Sequence, residues 1–132
     1  MVLGGVLDVN RWSTESSRSA EYWTFQIGDE ATDKYRLDVD GYSGDVSDPL
    51  QRPYMPGIWH NGMMFTTYDA DNDNNADNCA QSYNGGWWFN NCAEVCPTCT
   101  GVSFYGCGCL SWPGAIDGAI DDSRMMIKPR LA

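Results

Sequence analysis

Apolar and polar residues alternate along two stretches in the first third of the chain. Tyr35, Leu37 and Val39 alternate with Arg36, Asp38 and Asp40, and the run ends at Gly41. Trp23, Phe25 and Ile27 repeat the spacing ahead of Gly28-Asp29-Glu30, which reads as a turn. A period of two marks a strand with one face buried and the other wet. Val6 to Val9 predicts a shorter strand, Met63 to Thr67 another, and Met125-Met126-Ile127, followed by Pro129, a last one. Ser13 to Ser19 reads as a loop or one helical turn. Pro49, Pro53 and Pro56 make Asp45 to Pro56 a connection, with Asp48 placed to cap a short helix. From Asp69 to Asp122, Gly, Asn, Cys and Pro dominate, and no helical period emerges. The expectation is an α+β or mostly β domain whose second half is irregular and cross-linked.

The length of 132 residues suits one domain or part of one. A formal net charge of −10 excludes phosphate-backbone and anionic-lipid binding, both of which need a basic face. Aromatic content of 13% separates the sequence from a disordered acidic tail. No apolar run approaches the ~20 residues of a membrane span. The opening stretch, Met1 to Trp12, has neither the basic region nor the apolar length of a signal peptide. The protein therefore either has no signal or is the later part of something longer.

All six cysteines fall between Cys79 and Cys109. That density, in even number, favours a disulfide framework and an oxidising compartment. Zinc is the competing reading, because Cys96-Pro97-Thr98-Cys99 and Cys107-Gly108-Cys109 offer four thiolates. The one-residue gap in the second pair departs from the usual zinc-ribbon spacing, so disulfides are preferred.

Residues 69–80 read DADNDNNADNCA, with four aspartates and four asparagines. No Lys or Arg occurs from Pro53 to Ser123, so neighbouring cations cannot neutralise them. Such a stretch is either a solvated loop or a loop closed on a cation. The alternation of Asp69, Asp71 and Asp73 suits oxygen ligation of Ca²⁺. An EF-hand starting at Asp69 fails, since its sixth position is Asn74 and its twelfth Ala80.

These residues also carry a resemblance. Met63-Met64-Phe65-Thr66-Thr67-Tyr68-Asp69-Ala70-Asp71-Asn72-Asp73 is followed by Asn78-Cys79-Ala80 and by Gly85-Gly86-Trp87-Trp88-Phe89-Asn90-Asn91-Cys92. The set resembles the C-terminal part of the fibrinogen-related domain of fibrinogen, ficolins, tachylectins, angiopoietins and tenascins. Glu21-Tyr22, Phe25, Gly28-Asp29-Glu30, Tyr35-Arg36-Leu37, Gly41-Tyr42-Ser43-Gly44 and Met125 to Pro129 are similar to further stretches of that family. The resemblance runs from about Leu3 to Pro129 and implies an α+β fold. An antiparallel sheet (residues 3–62) would precede a loop-rich, disulfide-linked calcium-binding part (63–129), within a partial domain spanning 1–132. The family's N-terminal subdomain is absent, which implies a fragment of a longer protein.

The resemblance implies one Ca²⁺ held by the side chains of Asp71 and Asp73 and the carbonyls of Asn75 and Asp77, with Asp69 behind them. It implies a Cys79–Cys92 disulfide. In lectin-like members a pocket for acetyl groups or sugars lies beside this bond, which maps here onto Tyr83, Ala93 and Tyr105. Ala93 stands where the family has a histidine after a cis peptide, so the pocket half of the resemblance is the weaker half. For Cys96, Cys99, Cys107 and Cys109, pairings bridging the two segments are favoured over a bond within each segment, because Cys107–Cys109 would close a very small ring. The implied function is a secreted, non-catalytic, lectin-like module of innate-immune type binding carbohydrate or acetylated groups. The alternative is a matrix or receptor-ligand module for an extracellular protein, and oligomers would form through the missing N-terminal region. No catalytic constellation competes: His60 is the only histidine, and it matches the family's His-Asn-Gly structural motif.

Overall fold

The structure is a computed structural model describing residues 3–10, 17–48, 50–52, 56–100 and 122–129, with only the backbone described for 3–10, 17 and 122. Its frame is one antiparallel sheet of β1 (Leu3–Asn10), β2 (Ser17–Ile27), β3 (Leu37–Gly44) and β4 (Asp122–Pro129), in the order β3-β2-β1-β4. The first and last strands pair along their whole length, from Leu3 opposite Pro129 to Asn10 opposite Asp122. Backbone hydrogen bonds thus tie the first strand of the sheet to the last.

The alternation read from the sequence places β2 and β3 but not all of the β2 inward face: Trp23 and Ile27, expected beside the buried Phe25, are exposed, and the pattern slips once in each strand. In β2 the buried residues are Ala20, Tyr22 and then Phe25; in β3 they are Leu37 and Val39, followed by the partly buried Tyr42. Each list contains an odd step, and β2 and β3 keep one register across it, so the bulge lies between β2 and β1. Gly41 sits at the slip with φ +69°, and a Cβ there would lie 2.6 Å from the Trp23 Cβ. Only glycine fits that approach and that dihedral. The β1–β2 register shifts at the same level, between Leu3 and Gly5.

The core joins this face to the irregular half through Trp87, Trp88, Phe89 and Val95, with Val46 and Leu50 from the connection after β3. Asp48 caps a single turn, its Oδ1 accepting from the Gln51 N–H at 3.3 Å. The same oxygen accepts from the buried Tyr22 hydroxyl at 2.8 Å, and the Arg52 N–H reaches the Asp48 carbonyl, closing the turn. Burial and the Asp48 carboxylate push the Tyr22 phenol far above its ordinary range.

Three further expectations change. Met63 to Thr67 forms no strand. Its backbone groups go to separate partners: the Met63 carbonyl to Leu37, the Phe65 N–H to Lys34, and Thr66 to Trp87 in both directions. A ladder needs one continuous neighbour, and this segment has none, since Met63 also donates to the His60 carbonyl and Thr67 pairs with Ala70. Short helices also appear. α1 (Glu30–Asp33) is capped by Asp29, and α2 (Cys79–Tyr83) by Asn78, whose side chain accepts from the Gln81 N–H. Tyr35 leaves the expected strand, because Lys34 and Tyr35 both adopt left-handed backbone at φ +49° and +57°.

His60 is fully buried, with Nδ1 2.9 Å from the Trp88 carbonyl and its ring edge-on to Trp87. Burial lowers its pKa to about 4. The unfolded protein protonates the same ring near its ordinary value of 6.5. Stability is therefore complete above pH 6.5 and falls by up to about 1.4 kcal/mol per pH unit down to about pH 4. Urea midpoints measured at pH 7, 5.5 and 4.5 should show this loss, and His60→Gln should flatten it. Equal slopes in the two proteins would mean that His60 is accessible to protons in the folded state.

Candidate functional site

Hydrogen bonds hold the acidic loop in shape. The Asp73 N–H donates to Asp71 Oδ1 at 3.2 Å, the Asn75 N–H to Asp73 Oδ1 at 2.9 Å, and the Asp77 N–H to Asn75 Oδ1 at 2.9 Å. Each side chain accepts from the backbone two residues ahead, which is the local bonding that makes Asp and Asn turn residues. A second carboxylate oxygen of Asp73 accepts from the Cys79 N–H at 2.9 Å, joining the loop to the start of α2.

The asparagines between them anchor the loop to the core. Asn72 donates to the Phe65 carbonyl at 2.9 Å, and its N–H meets the Thr66 hydroxyl. Asn74 reaches Asn90 through both backbone and side chain. Asn75 pairs with Asn91, and Asn78 donates to the carbonyls of Thr67 and Tyr68. An acidic residue could not donate in these places, which explains why Asp and Asn are interleaved here. Asp69 accepts from the Thr67 hydroxyl at 2.8 Å, and this bond holds its carboxyl below the usual range.

The electrostatics leave one local imbalance. The Asp73 carboxyl is pushed above its ordinary value, first by partial burial and also by the Asp71 carboxylate, against the pull of the Cys79 and Asn75 N–H donors. Among the described residues, neither the Asn75 nor the Asp77 carbonyl accepts a backbone hydrogen bond. Two carboxylates with no ion pair among the described residues, close in sequence to carbonyls with spare lone pairs, could hold a hard cation such as Ca²⁺. No group of three or more Asp, Glu, His or Cys side chains converges among the described residues. A cation here would therefore draw on carbonyl and water oxygens as well.

Cys79 and Cys92 are bonded, with Cα atoms 5.3 Å apart. The other described pair corrects the sequence expectation. Cys96 and Cys99 are bonded to each other, Cα atoms 5.4 Å apart, and neither bridges to the later segment. The Cys99 N–H donates to the Cys96 carbonyl, so the Pro97-Thr98 turn alone brings the sulfurs together. Cys107, Cys109 and Tyr105 lie outside the described residues.

Tyr83 and Ala93 are not wall residues of an open pocket among the described residues. They are 7% and 6% exposed, and the Tyr83 ring packs against Phe89 with centroids 5.8 Å apart. The short α2 turns Tyr83 inward, an element for which the sequence offered no helical period. Cys92 takes φ +55°, and no peptide bond among the described residues is cis.

Two surface hollows went unforeseen. One, of about 270 Å³, lies between Tyr68, Asn84 and Gly85-Gly86. Gly85 has no alternative there, since a Cβ would meet the Thr98 carbonyl oxygen at 2.5 Å. The other, of about 440 Å³, runs between Lys34-Tyr35 and Phe65 to Asn72. It depends on the left-handed pair at Lys34 and Tyr35, for which the strand-like pattern gave no signal.

Residues 6–130 match the family described as fibrinogen beta and gamma chains, C-terminal globular domain. The protein is 46% identical to chicken (Gallus gallus) tenascin over 76 residues, which is 58% of its own length and 4% of tenascin. It is 43% identical to bovine (Bos taurus) fibrinogen-like protein 1 over 82 residues, which is 59% of its own length and 26% of that relative. The fibrinogen-like globe domain of human ANGPTL2 superimposes with a TM-score of 0.75 at 30% identity, over 97% of this protein and 58% of that domain. The sequence thus spans about a quarter or less of these two relatives and rather more than half of the solved domain.

Proposed function

Because this protein belongs to the family of the C-terminal globular domain of fibrinogen beta and gamma, we propose that it is a non-catalytic, calcium-binding recognition module of a secreted protein, and that its ligand is a protein. The observation that carries the calcium reading is the Asp71–Asp73 carboxylate pair, which has no ion pair among the described residues and lies on a loop already tied to the core. Asp71 and Asp73 would supply carboxylate oxygens, and Asn75 and Asp77 carbonyls. Calcium would cancel the repulsion between the two side chains and fix the loop's outer surface. Two disulfides among Cys79, Cys92, Cys96 and Cys99 support an oxidising, extracellular setting.

The carbohydrate reading has less support, because Tyr83 and Ala93 are buried. It keeps one specific observation, the hollow beside Gly85-Gly86 with Tyr68 71% exposed at its edge. The test is retention on acetylated agarose and on a glycan array, both in calcium. The expected result is no retention. Binding released by N-acetylglucosamine or by chelator would overturn the protein-ligand reading in favour of a lectin.

A further inference from the structure

The groove between Lys34-Tyr35 and Phe65 to Asn72 takes Asp69, Ala70 and Asn72 from the near end of the acidic loop, and its lining includes none of Asp71, Asp73, Asn75, Asp77, Tyr83 and Ala93. It holds about 440 Å³, room for one side chain and its backbone. Its floor is rigid. The Phe65 ring packs edge-on against Trp88, with centroids 5.0 Å apart, and a Cβ on Gly86 would approach it at 3.1 Å. One wall is built from strained backbone. Two successive non-glycine residues, Lys34 and Tyr35, are left-handed, a backbone region that L side chains disfavour.

That strain is held from outside by specific bonds. The Phe65 N–H donates to the Lys34 carbonyl at 2.9 Å, and the buried Trp88 indole donates to the Tyr35 carbonyl at 2.7 Å. The same two aromatic residues therefore support the floor and lock the wall. The Tyr35 ring is 39% exposed and shares the groove lining with the Glu30 carboxylate. The groove is lined by two carboxylates, Glu30 and Asp69, one ammonium, Lys34, and the aromatic rings of Tyr35 and Phe65. An aromatic face flanked by carboxylates suits a flat cation, and arginine's guanidinium both stacks and forks onto carboxylate. Lys34 opposes a bare cation but accommodates one that arrives beside a carbonyl.

We propose that this groove binds an arginine side chain of a peptide segment, with the guanidinium over Tyr35 between Glu30 and Asp69 and the peptide carbonyl toward Lys34. Its biological source rests on the protein-ligand reading above, whereas the chemistry of the groove does not. The test uses N-acetylargininamide as probe and N-acetylcitrullinamide as its neutral near-isostere, titrated in calcium and followed by NMR. Arginine should shift the Tyr35 and Phe65 ring resonances. The citrulline probe and the Asp69→Asn and Glu30→Gln variants should each bind more weakly, by about two- to fivefold, the loss expected of one exposed ion pair. Equal binding of the two probes, undiminished binding by Asp69→Asn, or shifts confined to other residues would overturn the assignment. Arginine binding alongside glycan retention would instead remove the protein-ligand reading and leave this site standing.

Discussion

Trp87→Ala is expected to cost about 3–5 kcal/mol of stability, the range for emptying a buried tryptophan site. Trp87 is 1% exposed, stands 5.1 Å from the Trp88 ring and 6.0 Å from His60, and exchanges two backbone hydrogen bonds with Thr66. No neighbour can collapse into such a volume without breaking the Thr66 pairing or the His60 bond to the Trp88 carbonyl. Domains of this size hold roughly 5–15 kcal/mol in total, so the variant would sit near its folding limit. Urea denaturation by circular dichroism would measure the change, and Trp87→Phe should recover much of it. A loss under about 1 kcal/mol would mean that the ring is not in the core. Tyr83→Ala should behave as a milder case of the same kind, since Tyr83 packs on Phe89. That differs from the surface role which the resemblance implied for it.

The second large effect concerns calcium. In a calorimetric titration of the chelated protein, one ion per molecule should bind, and Asp71→Asn/Asp73→Asn should abolish the heat. Asparagine keeps the single acceptor oxygens used by the Asp73 and Asn75 N–H groups, but at position 73 its amide nitrogen replaces the second oxygen, which accepts from the Cys79 N–H. The turn therefore survives, and the charge is removed. In chelator the double variant should melt near or below the parent's temperature, because relief of the Asp71–Asp73 repulsion is offset by loss of the Cys79 N–H bond to Asp73. At calcium a hundredfold above its dissociation constant, the parent alone should gain about 2.7 kcal/mol. Parent and variant responding equally to calcium would place the ion elsewhere.

The smaller asparagine contacts should separate loop order from calcium. Asn72→Asp replaces the donor to the Phe65 carbonyl with an acceptor, setting two oxygens against each other. A loss of about 1–3 kcal/mol follows, present with and without the ion. A loss seen only in calcium would show that Asn72 acts through the metal instead.

What the sequence determined was whatever depends on near neighbours in the chain. Period-two alternation placed β2 and β3, and Met125 to Ile127 placed β4, because a strand's face is set by the residue two positions away. The family resemblance was legible in Gly85 to Cys92 and in the acidic run, where spacing itself is the signal. Tertiary structure decided the rest. The slip at Trp23 and Gly41 arises where two strands meet and cannot be read from either alone. Met63 to Thr67 has a strand's composition, but its neighbours at Leu37, Lys34 and Trp87 share out its hydrogen bonds. Cys96 pairs with Cys99 because a local turn closes before any distant cysteine is reached. The arginine groove exists only because Phe65 and Trp88, 30 and 53 residues from Tyr35 in sequence, hold Lys34 and Tyr35 in a backbone conformation that neither residue prefers by itself.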